Sequence, residues 1–333
     1  MSSQLPHMDF PVSHTEGVAV IQLPNRLSIL EAVDFKHACD ELLAQANPPH
    51  KIVLDFRATQ FIDSSAIGAL VHNYKAAQAK RVEILLENVR PPVMAVLSLT
   101  NLDQIFSVVS TLKDAQSDSK RRGDHSIAPE THPSIRSWVK RLIDITGALV
   151  GLTLTGFIFL PVAIAIRLDS SGPIFFGQER CGWLGKRFRI WKFRSMCVDA
   201  EKRKQDVKNQ AEGAIFKNKN DPRITRVGRF LRRTSLDEFP QFYNVLRGEM
   251  SLVGTRPPTV DEVERYEVPA WQRLDVKPGM TGEWQVNGRS NVHDFEDVIK
   301  LDLRYQQNWS LSYDAQLILK TVWLLFNRDS GAV

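Results

Sequence analysis

The stretch ITGALVGLTLTGFIFLPVAIAI, residues 145–166, holds no charged side chain in 22 positions. As an α-helix rising about 1.5 Å per residue it is ~33 Å long, enough to traverse a hydrocarbon core of ~30 Å. Such a run must be covered by lipid or by protein, and that demand limits every architecture open to the chain. Lys140 and Arg141 precede it, Arg167 follows it, and the sequence on both sides is polar and basic. Positive flanks draw both ends towards the cytoplasmic face. Pro161 removes a backbone donor inside the run and predicts a bend near Leu160. A helix that enters, breaks at Pro161 and returns satisfies all three features; a plain crossing and a buried core helix are the alternatives. The expected location is therefore the cytoplasmic face of a plasma membrane.

The remainder is the sequence of a folded protein. With 333 residues, 24% charged and 43% hydrophobic, it can bury more than one core. The net charge of +5 favours anionic partners such as nucleotides, nucleic acid or an anionic membrane surface. Three scattered cysteines, Cys39, Cys181 and Cys197, do not make a disulfide framework or a zinc site, and fit a reducing compartment. The N-terminus lacks the basic-then-apolar order of a secretory signal, so export is not expected.

Composition divides the chain into 1–114, a polar linker over 115–134, the membrane helix region 135–171, and a region from 172 to 333. In the first part GVAVIQL (17–23), KIVLDF (51–56) and VEILLENV (82–89) read as strands. Residues 30–45 and 65–80 between them carry apolar side chains at helical spacing. That alternation predicts an α/β fold, a small sheet with helices packed on it. The last region is expected to be mostly helical, and DAQLILKTVWLLF (314–326) is an apolar helix suited to the membrane interface or to internal packing.

The stretch LRRTSLDEFPQFYNVLRGEMSLVGTRPP (231–258) sets Asp237 and Glu238 among Arg232, Arg233, Arg247 and Arg256. Ser235 and Glu238 have the spacing of a capping box, which would make the acids ordinary helix-start residues. On a helix Leu236, Phe239, Phe242, Tyr243 and Leu246 would be buried, leaving Asp237, Glu238 and Gln241 together on the other side. Arginine forks match phosphate oxygens. With arginines and a divalent cation cancelling the repulsion, an aspartate can attack phosphorus. Oxygen ligands without a Cys/His cluster favour Mg²⁺ over zinc. A glycoside hydrolase pair is a poor fit, because adjacent helical residues diverge by about 100° and cannot flank a sugar at ~5 Å or more.

Several motifs in order resemble the bacterial sugar transferases, the monotopic phosphoglycosyl transferases. They are KRLID (140–144), FLP (159–161), GPIFFGQERCGWLGKRFRIWKFRSM (172–196), the stretch 221–257 and KPGMTGEWQVNGRS (277–290). The resemblance covers about residues 136 to 326. It implies transfer of sugar-1-phosphate from a UDP-sugar to polyprenyl phosphate with release of UMP, at the start of exopolysaccharide or surface-glycan synthesis in the bacterial inner membrane. By motif position Asp237 is the nucleophile forming a phosphosugar–aspartyl intermediate and Glu238 its partner, and the resemblance implies that Asp237 and Glu238 hold the Mg²⁺. Arg232 and Arg256 handle phosphate, and Pro161 makes the membrane helix re-entrant. Two positions depart from the family pattern: Leu160 stands where serine is usual before the breaking proline, and Thr255 makes GTRP of the commoner GPRP. The glycine-rich 277–290 stretch is either a set of turns or a loop contacting nucleotide or sugar through Lys277 and Arg289.

FRATQFIDSSAIGALVHNYKAAQ (56–78) resembles the signature of STAS domains, the fold of anti-sigma-factor antagonists. By motif position Ser64 is the residue phosphorylated in regulatory members, which implies a serine kinase or another regulatory protein as partner. At an exposed helix start a phosphate's charge would alter docking, and Ser64 or Ser65 is also expected to cap the helix, a role compatible with the first. Such domains mediate protein contacts, so a homodimer is a further expectation. The rival readings are a non-catalytic STAS-containing membrane adaptor and a nucleic-acid binder; the second lacks any recognition motif.

Overall fold

The computed structural model describes residues 10–15, 17–109, 131–203, 207, 218, 220–287 and 295–326. The chain forms two compact units. The first combines Met1–Thr131 with Leu184–Lys186 and Tyr266–Asp275; the second combines His132–Trp183, Arg187–Arg265 and Val276–Val333. Two segments of the C-terminal half thus belong to the first unit, which the linear division of the sequence does not anticipate. The 115–134 linker falls largely outside the described residues.

The first unit is α/β, as its sequence pattern predicts. β1 (Val12–Thr15), β2 (Val18–Gln22), β4 (Lys51–Asp55), β6 (Glu83–Glu87) and β7 (Ser107–Val109) make one sheet in the order β1-β2-β4-β6-β7. β1 is antiparallel to β2, and the remaining pairs are parallel. Short β3 (Arg26–Leu27) and β5 (Phe61–Ile62) pair beside it. The helices are α1 (Ile29–Ala44), α2 (Ser64–Ala79) and α3 (Pro91–Leu99). Ile21, Ile52, Leu54 and Leu86 from the sheet, Phe35 from α1, and Ile67 and Leu70 from α2 are fully or almost fully buried. Their burial stabilises the unit by roughly 1.5–3 kcal/mol per large side chain.

The start of α2 differs from the sequence expectation. Asp63 is the cap, its carboxylate accepting from the Ala66 N–H at 2.9 Å. Ser64, expected at an exposed helix start, is 0% exposed. With Asp63 serving the free amides, Ser64 turns its hydroxyl to the Trp271 carbonyl at 2.6 Å. Neither serine caps the helix, and Ser65 is buried as well.

The second unit is built along α4 (Trp138–Asp169), a helix of 32 residues whose most apolar 18-residue stretch has a mean hydropathy of 2.4. Its backbone stays helical on both sides of Pro161, so the expected break is a proline inside one helix rather than a gap between two. The face turned into the protein carries Lys140, Asp144, Ala148, Gly151, Thr155, Val162, Ala163 and Ile166. The outer face carries Leu149, Val150, Leu154, Phe157 (78% exposed), Leu160 and Leu168 (84%). Polar groups point inwards and hydrocarbon outwards, the inverse of a helix in water and the arrangement expected in lipid. Gly151 permits this packing: a Cβ there would come within 2.4 Å of the Phe242 ring.

Around α4 lie the hairpin β8 (Phe175–Cys181) and β9 (Arg187–Phe193), the helices α5 (Arg226–Arg233), α6 (Phe242–Arg247) and α7 (Val260–Glu264), and the parallel strands β10 (Ser251–Val253) and β11 (Gly279–Thr281). α8 (Phe295–Gln307) and α9 (Leu311–Phe326) close the described chain. α9 meets both expectations for its apolar sequence. It buries Leu317 with Val253, Val276 and Tyr305, and it leaves Leu319, Val322 and Trp323 exposed. Lys140 and Asp314 form a buried ion pair inside this unit, joined by the Tyr305 hydroxyl, which donates to Asp314 at 2.9 Å.

Candidate active site

The two adjacent acids lie on a tight 3-10 turn, Leu236–Gln241, and not in the first turn of an α-helix. Ser235 opens it in the left-handed region (φ 55°) and makes no side-chain cap. The capping-box reading therefore fails: the Glu238 N–H donates to the Ser235 backbone carbonyl at 3.2 Å, and the Glu238 carboxylate faces Lys192. Three residues per turn also reassign the faces. Asp237 (6% exposed), Pro240 and Gln241 are buried, while Leu236, Phe239 and Phe242 are half-buried and Tyr243 is exposed. The apolar stripe expected inside lies partly outside because the polar residues form the interior of the site.

Arg232, at the end of α5, is largely removed from water. Burial lowers the pKa of its guanidinium, and the nearby Asp237 carboxylate opposes that shift. Its Nε donates to the Ser195 hydroxyl at 3.0 Å, which fixes the plane of the fork. Gly228 makes this approach possible, since a Cβ there would fall 1.9 Å from the Ser195 carbonyl oxygen. Lys192, on β9, donates to Glu238 Oε1 at 2.8 Å. Beside them Arg223 grips Asp221 through Nε at 2.9 Å and Nη2 at 2.7 Å, and that side-chain bond above all lowers the pKa of Asp221.

Arg256 is held by a different carboxylate. Its two terminal nitrogens meet Glu262 at 2.8 and 3.1 Å, a bidentate pair that places it firmly. Burial works to raise the pKa of Glu262, but Arg256, Arg180 and the Thr259 N–H together outweigh it, so that carboxyl titrates below its ordinary range. Arg180, from β8, donates to the Pro257 carbonyl at 2.8 Å. Burial, then the neighbouring Arg256, depress Arg180 to about 10, against the pull of Glu262 and Glu238. Two guanidinium groups thus lie close together here, Arg256 paired with Glu262 and Arg180 within electrostatic reach of both Glu262 and Glu238.

The other expected residues lie elsewhere. Lys277 lines a small cavity of about 60 Å³ with Lys140, Arg141, Asp144 and Tyr305, near the start of α4. The dyad turn meets α4 at Thr155, whose hydroxyl lies 3.5 Å from the Phe239 carbonyl. Thr155 is fifteen residues beyond Lys140 in the same helix, about 22 Å along its axis. Lys277 therefore stands apart from Asp237. Arg289 lies outside the described residues, while Arg233 is exposed and Arg247 pairs with Glu249 at 3.5 Å. Sequence reasoning did not single out Lys192, Ser195, Arg180, Asp221, Arg223 or Glu262. All lie in or beside the quoted motif stretches, but residue type alone does not say which charges converge.

No cluster of three potential metal-ligating side chains occurs among the described residues. Mg²⁺ uses one or two carboxylates and fills its octahedron with phosphate oxygens and water. Asp237 and Glu238 fit that requirement as a donor set.

A buried aspartate on a 3-10 turn thus lies within electrostatic reach of the Arg232 guanidinium, with Arg256 and Arg180 at a loop near Glu238. The chain belongs to the bacterial sugar transferase family, whose model matches residues 135–328, and residues 9–115 match the STAS domain. The galactosyl transferase CpsE of Streptococcus agalactiae is 53% identical over 185 residues, 55% of this chain and 41% of that protein. The undecaprenyl-phosphate galactose phosphotransferase of Salmonella typhimurium is 41% identical, covering 58% of this chain and 42% of that one. The chain thus spans about two fifths of the length of these relatives. The exopolysaccharide production protein ExoY of Rhizobium meliloti is 37% identical over 58% of this chain and 89% of its own length. Among solved structures, an anti-sigma factor antagonist from Mycobacterium paratuberculosis aligns with 34% of this chain and 93% of its own at 23% identity, with a TM-score of 0.29.

Proposed function

We propose that the protein transfers sugar-1-phosphate from a UDP-sugar to polyprenyl phosphate and releases UMP, as an early step of exopolysaccharide or surface-glycan assembly. The observation that carries this reading is the burial of Asp237 within electrostatic reach of Arg232, on a turn that also holds Glu238 to Lys192. An Asp237 carboxylate oxygen attacks the phosphorus that bears the sugar, and the bond from that phosphorus to UMP breaks. The resulting phosphosugar–aspartyl ester is attacked by the terminal phosphate oxygen of the lipid, which restores the carboxylate. Arg232, and Arg256 with Arg180, bind and orient the diphosphate oxygens. Lys192 holds the Glu238 carboxylate in place next to Asp237. Asp237 and Glu238 would hold Mg²⁺, which neutralises phosphate charge when bound.

The exposed hydrocarbon face of α4 supports placement in the membrane, and its basic flanks support a cytoplasmic orientation of both ends. The lipid acceptor then reaches the site from the bilayer and the nucleotide from the cytosol.

The test is Asp237→Asn in detergent-solubilised protein. UMP release from a UDP-sugar with Mg²⁺ and polyprenyl phosphate should fall at least about a thousandfold, while sedimentation with membranes stays unchanged. Intact-mass analysis of the wild type with donor alone should show a sugar-phosphate adduct, absent from the variant. Normal release from Asp237→Asn removes the nucleophile assignment. A wild type that releases no UMP from any UDP-sugar leaves the adaptor reading.

A further inference from the structure

Within the first unit, the segment Tyr266–Asp275 is seated on the N-terminal half of α2. The Trp271 ring covers Gly68, where a Cβ would stand 2.5 Å from the indole, and also abuts Gly185, where one would stand 2.9 Å away. Glycine at both places admits the ring. Ala270, Trp271 and Leu274 are buried. The polar contacts are equally specific. The Ser64 hydroxyl donates to the Trp271 carbonyl at 2.6 Å, and the Ser64 N–H, one of the free amides of the helix start, donates to the Asp275 carboxylate at 2.9 Å. An amide that intrahelical bonding leaves unused is satisfied by a residue 211 positions away.

The place of this segment in the chain gives the contact a consequence. The backbone leaves β10, passes Arg256 and α7, runs through Tyr266–Asp275, and returns through Lys277 to β11. Its two ends are tied together: Thr255 bridges Pro278, and the Gly279 N–H donates to the Thr255 carbonyl at 2.8 Å. The segment is therefore the far end of an excursion whose base carries Arg256 and whose first helix carries Glu262. We propose that α2 grips this excursion and that Trp271, seated on Gly68, is a positioning residue for the transferase. It steadies the loop that presents Arg256 to the donor's phosphates. The STAS domain would then set the geometry of the active site through its own chain, and anything that opens the start of α2 would be read out there. The positioning role rests on the transferase reading; the docking does not.

Gly68→Ala in the full-length, detergent-solubilised protein separates the two. Alanine is the better helix former, so α2 keeps its local fold, but its methyl group cannot coexist with the Trp271 ring. Deuterium uptake by peptides covering 64–70 and 266–275 is expected to speed up at least about tenfold, and KM for the UDP-sugar to rise about tenfold. A mere loss of folded enzyme lowers the number of active sites and leaves KM in place. Trp271→Leu combined with Gly68→Ala, which removes the clash, should recover much of both effects. Unchanged uptake over 266–275 in Gly68→Ala overturns the docking. Faster uptake with an unaltered KM overturns the positioning role. A wild type without UMP release overturns the transferase reading and the positioning role with it, while the exchange data still decide the docking.

Discussion

Helices α2 and α4 are built from similar proportions of apolar residues and solve opposite problems. α2 buries Ile67 and Leu70 and turns His72 and Lys75 outwards. α4 buries Lys140, Asp144 and Thr155 and turns Phe157, Leu160 and Leu168 outwards. In water a leucine gains by leaving the solvent. Beside lipid it gains nothing by doing so, and the scarce polar side chains must find partners in the protein. The solvent each helix was selected for can be read from which residues it hides.

The comparison breaks most visibly at the buried charges of α4. Lys140→Met alone would leave Asp314 buried without its partner, which should cost about 3–5 kcal/mol. Lys140→Met with Asp314→Leu should recover most of it. Thermal unfolding in detergent measures both. Truncations of leucine should divide by helix in the same experiment. Leu70→Ala in α2 is expected to cost about 2–5 kcal/mol, and Leu154→Ala on the outer face of α4 less than ~1 kcal/mol. Equal losses would mean that the outer face of α4 is covered by protein. Phe157→Glu with Leu160→Glu sharpens the point without touching the site: flotation with vesicles should drop severalfold while the fold, followed by circular dichroism, is retained.

The smallest effect concerns pH and the first unit. Burial, and then the neighbouring Asp275, push the Asp63 carboxyl up; burial also raises Asp275, against the Ser64 hydrogen bonds. Glu31 adds a further negative charge near Asp63. Folded-state values above the unfolded ~4 mean that the folded unit holds protons the unfolded chain has lost. Stability of this unit should therefore decline as pH rises from about 4 towards neutrality, and level off above the folded values. Asp275→Asn keeps an acceptor for the Ser64 N–H and should flatten that slope in denaturation curves taken between pH 5 and 8. An identical slope in the variant would assign the pH dependence to other groups.

Much of this was legible in the residues. The strands and helices around 17–23, 30–45, 51–56, 65–80 and 82–89 appear close to where periodicity put them, because each is a local pattern that one sheet face or one helix stripe can satisfy. The reach of 145–166 follows from its length alone. The residues around the acids depart from the helical pattern for one reason. A 3-10 turn opened by Ser235 at φ 55° has another period than an α-helix, and no local signal announces it.

What the chain carried in its own order was the kind of parts: a small α/β domain, an uncharged run (145–166) long enough for a bilayer, and a pair of acids among arginines. Which charges meet was decided only in three dimensions. Arg256 chose Glu262 and Glu238 chose Lys192, while Lys277 went to a separate cavity near the start of α4 and Ser64 was closed off by Trp271 from more than two hundred residues away. Side-chain periodicity is enforced within a few residues and shows in any window. Ion pairs and close glycine contacts depend on where distant backbones come to rest, and that is a property of packing.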